Sequence, residues 1–183
     1  TPIPRAPHVT LPATALKEKI ILVGDIHGCV EEFRQLLQKC EYDSATCTLI
    51  ILGDLVNKGP HSQEVVEYVR SLGAYCVRGN HDDTALSYVV GINAGKPKGK
   101  YEFLNSFSSA DIEWLKELPY TISIPSLAIL IVHAGLVPGV PLYRQTRINM
   151  ITMRNVIEHP NYEGGDRWTG TDKGDQGEPW AKV

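Results

Sequence analysis

The sequence predicts an α/β layered domain, with β-sheets flanked by helices and functional loops at the carboxyl ends of the strands. Two observations lead there. Apolar runs of strand length alternate with stretches of helical period three times in succession. Each of those runs also ends at a glycine close to an acid, an amide or a histidine.

A length of 183 residues and a hydrophobic share of 43% suit one ordinary core. Residues 1–18, with Pro2, Pro4, Pro7 and Pro12, read as a proline-rich lead or linker, and 19–183 as a single domain. Lys19–Val23 is a continuous apolar run after its first residue and suits a strand buried on both faces, stopped by Gly24. Val30, Phe33, Leu36, Leu37 and Cys40 then recur at helical spacing, with Glu31 and Glu32 in the first turn. The pattern repeats in Thr48–Leu52, followed by Gly53-Asp54 and a helical stretch from Ser62 to Leu72 closed by Gly73. It repeats again in Ala74–Val77, which runs through Arg78-Gly79-Asn80-His81 into helical character from Thr84.

Gly91–Lys100, rich in glycine and lysine, reads as an exposed loop; Lys96, Lys98 and Lys100 could steer a polyanion but first suit a solvated surface. Ser108 and Asp111 offer a capping box for a helix carrying Ile112, Trp114, Leu115 and Leu118, which Pro119 stops. Thr121–Ile124 and Leu127–Val132 flank Pro125-Ser126 and read as paired strands, the second delivering His133. From Glu163 the composition turns to Gly, Asp and Lys and predicts loop rather than core.

The net charge of −3 excludes bulk attraction to nucleic acid or anionic membrane and gives no support to sequence-specific DNA binding. An anionic substrate must be drawn locally. No apolar run approaches the roughly 20 residues of a spanning helix. Cys29, Cys40, Cys47 and Cys76 form no Cys-x-x-Cys pair and read as reduced, mostly buried thiols, which favours an intracellular setting.

Chemistry concentrates at the strand ends. Asp25 and His27 are two residues apart, so in an extended segment they point the same way and can grip one cation. Asp54 can bridge two cations, Asn80 offers an amide oxygen and His133 an imidazole. This set of hard and borderline donors suits two divalent ions, manganese first, with iron, zinc, magnesium or cobalt as alternatives.

Gly24-Asp25-Ile26-His27-Gly28, Gly53-Asp54-Leu55-Val56-Asn57-Lys58-Gly59-Pro60, Arg78-Gly79-Asn80-His81-Asp82 and Val132-His133-Ala134-Gly135 together resemble the signature blocks of the calcineurin-like metallophosphoesterases, in the order of their phosphoprotein phosphatase branch. The blocks lie 29 residues apart from Asp25 to Asp54 and 26 from Asp54 to Asn80, and the resemblance spans Ile20 to Gly135. It implies the layered metallophosphoesterase fold, in which Asp25 and His27 bind a first metal, Asp54 bridges, and Asn80 with His133 binds a second. It further implies in-line attack of hydroxide on phosphorus, His81 as the acid that protonates the leaving oxygen, and Arg78 with a second cation on the phosphate.

That branch usually carries Asp-Arg where this chain has Asn57-Lys58. An amide there can accept a proton from His81 without stabilising an imidazolium, and an ammonium keeps the charge but loses the guanidinium fork. The variant block resembles that of the ApaH-like phosphatases, relatives of the bacterial symmetrical dinucleoside tetraphosphate hydrolases, and shifts the expected substrate to nucleotide polyphosphates or capped RNA ends. A Ser/Thr phosphoprotein phosphatase is the runner-up, and an inactive phosphate- or partner-binding module the third reading. Gly177–Ala181 resembles the stretch such proteins carry before a last metal histidine, which is absent, so the chain is expected to lack its C-terminal part. His8, His61 and His159 fall outside any block and are expected at the surface, and Trp114 in the core of its helix.

Overall fold

The computed structural model describes residues 1–90, 99–159 and 167–183. These fall into two compact units, Thr1–Ile131 and Val132–Val183.

In the first unit the elements run β1 (His8–Thr10), β2 (Lys19–Val23), α1 (Val30–Lys39), β3 (Cys47–Ile51), α2 (Ser62–Ser71), β4 (Tyr75–Cys76), α3 (Asn80–Val89), α4 (Ser109–Lys116), β5 (Thr121–Ile124) and β6 (Ile129–Val132). β2, β3 and β4 form a parallel sheet in that order. β1, β5 and β6 form a second sheet, with β1 parallel to β5. Alternation along β3 decides the layering. Leu49 and Ile51 pack with Val30, Phe33 and Leu37 of α1 and with Val65, Val66 and Val69 of α2. Ile50 turns the other way, onto Ile122, Ile124 and Ile131 of the second sheet. The unit is therefore a helix layer on a parallel sheet on a second sheet. Burying a side chain such as Ile50 completely contributes about 1.5–3 kcal/mol relative to exposure.

Three expectations change. β2 is not buried on both faces: it is the end strand of its sheet as described, and Leu22 is 48% exposed. The first 18 residues are no loose lead, because β1 pairs with β5 and Leu11 is buried. Helix α3 begins at Asn80 rather than near Thr84, because the Asp82 carboxylate accepts the Gly79 N–H and caps the turn. The capping box of α4 forms as read, with Ser108 Oγ accepting the Asp111 N–H and the Asp111 carboxylate accepting the Ser108 N–H. Trp114 is half-buried against the core.

The second unit contains α5 (Arg147–Thr152), β7 (Asn155–Glu158), β8 (Trp168–Thr171) and β9 (Glu178–Pro179). β7 lies between β8 and β9 and is antiparallel to both. The tail expected as loop thus supplies two strands. Its tryptophans explain why: Trp168 and Trp180 pack on Val137, Met153 and Val156, giving a small core to a glycine-rich segment. No helix among the described residues is long and apolar enough to cross a membrane.

Candidate metal centre

Parallel register brings the first three motifs together. Val23 lies level with Ile51, and Ile51 with Cys76, so the segments that follow leave the same edge of the sheet. The first two loops are then hydrogen-bonded to each other. The Ile26 and His27 N–H groups donate to Asp54 O at 3.1 and 2.9 Å, Gly28 N to Leu55 O at 2.8 Å and Gly59 N to His27 O at 2.8 Å. His27, Asp54, Asn57 and Lys58 all adopt left-handed backbone conformations, with φ of 48°, 53°, 72° and 68°. Such conformations cost roughly 1–3 kcal/mol each in non-glycine residues and persist only where surrounding bonds fix them.

The strongest of those fixings is Asp82. Its fully buried carboxylate accepts four backbone N–H groups, from Asp54 (2.9 Å), Leu55 (2.9 Å), Val56 (3.3 Å) and Gly79 (3.0 Å). Sequence reading placed Asp82 in a motif but gave it no role. An acid three residues after an extended glycine, at a helix start, was the available signal. Gly79 is required by close approach, since a Cβ there would stand 2.1 Å from Asp54 Oδ1.

His27 is oriented from behind. Its Nδ1 lies 3.1 Å from Val56 O, and a carbonyl can only accept, so the proton sits on Nδ1 and Nε2 presents its lone pair. Around that lone pair stand Asp25 Oδ2 at 3.4 Å, Asp54 Oδ2 at 3.5 Å and Lys58 Nζ, which donates at 2.7 Å. His27, Asp54 and His81 each offer one donor atom within 4.8 Å of the others. Asp54 Oδ1 meanwhile accepts the His81 N–H at 2.9 Å, from the first turn of α3.

These residues fit a divalent cation. Two donors held 2.0–2.2 Å from one ion lie about 3.0–3.5 Å apart, and the His27–Asp25 and His27–Asp54 separations fall in that range. The back-side bond of His27 to a carbonyl is the support a ligating imidazole requires.

His81 meets the edge of His27, with ring centroids 4.8 Å apart. Its Nδ1 lies 3.0 Å from Asn57 Nδ2. The direction of this bond is fixed elsewhere. Asn57 Oδ1 is engaged by the Lys58 backbone N–H, which can only donate, so the amide turns its NH2 toward His81. His81 Nδ1 is therefore the acceptor, and Nε2 carries the proton of the neutral ring. The expectation that Asn57 accepts from His81 is reversed. Burial lowers the His81 pKa from its ordinary value, with His27 and Lys58 acting in the same direction. Asn57 is buried, and its own N–H donates to Ser62 Oγ at 3.0 Å.

Arg78 is a correction. It was expected on the phosphate, yet its side chain is wholly buried and its guanidinium donates to Pro2 O (2.7 Å), Asp83 Oδ1 (3.2 Å), Tyr120 Oη (3.1 Å), Leu115 O (3.4 Å) and Lys116 O. It ties the lead, α3 and the end of α4 together beneath the motif. Asn80 is half-buried as the first residue of α3, and exposed Lys58 brings a cation to the site. His133 is half-buried in the second unit, directly after β6. Lys96 and Lys98 lie outside the described residues, and Lys100 is exposed over the Tyr101 ring. His61 and His159 are exposed as expected, whereas His8 is half-buried in β1, where it meets Thr121 Oγ1 at 2.7 Å. The four cysteines are free; Cys47 and Cys76 are buried, Cys29 and Cys40 half-buried.

A layered α/β unit whose strand ends gather carboxylates and imidazoles around one point is the architecture of a metal-dependent phosphoesterase. The chain belongs to the calcineurin-like phosphoesterase family, whose model matches residues 18–181. It is 45% identical over 121 residues to a symmetrical bis(5'-nucleosyl)-tetraphosphatase of Photorhabdus laumondii, covering 64% of this chain and 44% of the relative. It is 33% identical over 163 residues to the enzyme of the same name from Aggregatibacter actinomycetemcomitans, covering 81% of this chain and 58% of that one. A crystal structure described as a candidate diadenosine tetraphosphatase superposes with a TM-score of 0.83 at 38% identity, over 97% of this chain and 74% of the other. The chain thus spans about half the length of these curated relatives.

Proposed function

We propose that this chain carries the catalytic core of a two-metal phosphohydrolase that cleaves a phosphoanhydride bond in dinucleoside polyphosphates, with capped RNA ends as chemically related substrates. The observation that carries the reading is the convergence of His27, Asp54 and His81 within 4.8 Å at one edge of the parallel sheet. The names of the relatives support the substrate class.

Asp25, His27 and Asp54 would hold the first ion, with Asp54 shared and Asn80 and His133 as ligands of the second. Bound there, divalent ions polarise a phosphoryl oxygen and make water acidic enough to attack near neutral pH; manganese is the first choice, with iron, zinc, magnesium and cobalt as alternatives. The chain's own residues do the rest. His81 serves as the acid for the leaving phosphate oxygen in its imidazolium form, which gives up the Nε2 proton. Asn57, whose NH2 faces Nδ1, favours the neutral ring over that form. Lys58 supplies positive charge for the phosphate chain as a compact ammonium, suited to a run of phosphates rather than one planar fork. Nε2 of His27 has one lone pair, which Lys58 Nζ uses at 2.7 Å, so with His27 holding a cation Lys58 would have to take another partner, and the phosphate chain would offer one.

The test is turnover by the longest natural form of the protein, with manganese, magnesium, zinc or no metal, on diadenosine tetraphosphate, capped RNA, inorganic polyphosphate and a phosphopeptide, beside Asp54→Asn. The expected result is metal-dependent cleavage of the dinucleotide, lost in Asp54→Asn. Preference for the phosphopeptide would replace this reading by a protein phosphatase. Absence of turnover on all four would replace it by a binding module.

A further inference from the structure

Lys100 brings a further ammonium to the side of α3 that begins at the metal centre. Asn80, Thr84 and Tyr88 recur every four residues and so share one face of that helix. Tyr101 lies along this face. Its ring centroid is 4.5 Å from that of Tyr88, and its hydroxyl is hydrogen-bonded to the Thr84 side chain. Thr84 Oγ1 donates its single proton to Asn80 O at 2.8 Å, so toward the phenol it can only accept. The Tyr101 ring therefore runs from Tyr88 toward the start of the helix, and the Lys100 ammonium stands 5.3 Å from its centroid.

The placement suits this ammonium to a phosphate. Tyr101 is 4% exposed and anchors the backbone next to Lys100, whereas Lys100 itself is exposed. An ammonium over a ring face is held less firmly than one bonded to a phosphate oxygen, so a polyphosphate can draw it away from the ring. Its charge also reaches His81. Burial comes first among the causes that lower the His81 pKa, and His27, Lys58 and Lys100 add to it while Asp82 opposes them. Lys58 and Lys100 approach from different elements, the loop before α2 and the turn at Gly99–Ser106.

We propose that Lys100 binds a phosphate of the leaving nucleotide, beside the oxygen that His81 protonates, and so selects substrates whose leaving group is itself a phosphate chain. This rests on the hydrolase reading. There water attacks one phosphorus, the bond from that phosphorus to the bridging oxygen breaks, and the oxygen departs on the next phosphate with the proton from His81. Negative charge gathers on the departing chain, and a compact ammonium meets it without demanding one planar orientation. Arg78, which the motif suggested for the phosphate, is buried and donates to carbonyls, Asp83 and Tyr120 instead.

The test compares two substrates of the full chain with manganese. Diadenosine tetraphosphate has a phosphate chain as its leaving group, and p-nitrophenyl phosphate has a phenol. Lys100→Met keeps the stem over Tyr101 and removes the charge. It should lower kcat/KM for the dinucleotide about tenfold more than for p-nitrophenyl phosphate, the scale of one charge-assisted hydrogen bond. Lys100→Arg should recover most of that loss. Thermal denaturation checks folding, and Lys100→Gln, read in the same way, replaces Lys100→Met should the latter not fold. Equal losses on the two substrates, or no loss on the dinucleotide, would overturn the role of Lys100 and leave the hydrolase. Turnover of p-nitrophenyl phosphate alone by the natural chain would overturn both. Should neither substrate turn over, the hydrolase reading falls and ADP binding decides for Lys100. Calorimetry at one fixed manganese concentration should show ADP held about tenfold more weakly by Lys100→Met than by the natural chain; equal affinity, or no binding to either, overturns the proposal.

Discussion

At the scale of single residues, Asn57 and Asp82 do the positioning that the motif leaves implicit. Asn57 presents an NH2 to His81, so a protonated ring would set donor against donor. Asn57→Asp would turn that contact into an acceptor carrying charge and raise the His81 pKa from its lowered position. A general acid works only while protonated, so its rate falls as pH rises through its pKa. The variant is expected to move the alkaline limb of the pH–rate profile upward by about one unit, the usual scale for a neighbouring opposite charge; a limb that does not move would deny His81 the proton. Asp82→Ala would strand four buried N–H groups, at about 1–3 kcal/mol each, and should lower unfolding free energy by at least about 3 kcal/mol in urea titration. Asp82→Asn keeps one acceptor oxygen and is expected to fall between the two.

Among elements, the lead is the least expected contributor. Thr1 Oγ1 donates within the Asp83 carboxylate at 2.8 and 2.9 Å, Pro2 O receives Arg78, and Arg5 pairs with Glu117 at 3.1 Å. Deleting residues 1–6 removes two partners of the buried Arg78–Asp83 ion pair and should cost about 1–3 kcal/mol of stability, read as a lowered denaturation midpoint with unchanged slope. An unchanged midpoint would show that β1 alone anchors the segment. The sequence made the ends of β2, β3 and β4 legible because each is an apolar run meeting glycine, and parallel register then places Asp25, Asp54 and His81 without further information. Arg78 could not be read in the same way. Its acceptors are carbonyls of Pro2, Leu115 and Lys116, and no local pattern announces a backbone oxygen distant in sequence. β1, β7 and β9 escaped because two to four residues beside proline or glycine show no period. The start of α3 escaped because its N-cap, Gly79, has no side chain to mark it.

For the molecule as a whole, a net charge of −3 and carboxylates gathered at one sheet edge disfavour a polyanion until cations are bound. The same carboxylates repel one another, and this separates a metal site from a structural cluster. Manganese at about 100 times its dissociation constant should stabilise the native state by about 2.7 kcal/mol. For a chain of this size that raises Tm by roughly 5–10 °C, reversed by chelator. Asp54→Asn keeps the Oδ1 that accepts the His81 N–H and removes one negative charge beside Asp25 and Asp82, so without metal its Tm should equal or exceed that of the natural chain. Its manganese increment should vanish. Asp54 would instead be structural if Asp54→Asn lost several degrees without metal and kept the increment, because the bond to α3 would then outweigh the charge. A polyphosphate added to the natural chain should raise Tm further with manganese present than in chelator, since bound ions reverse the sign of a carboxylate-rich edge to which Lys58 adds one positive charge.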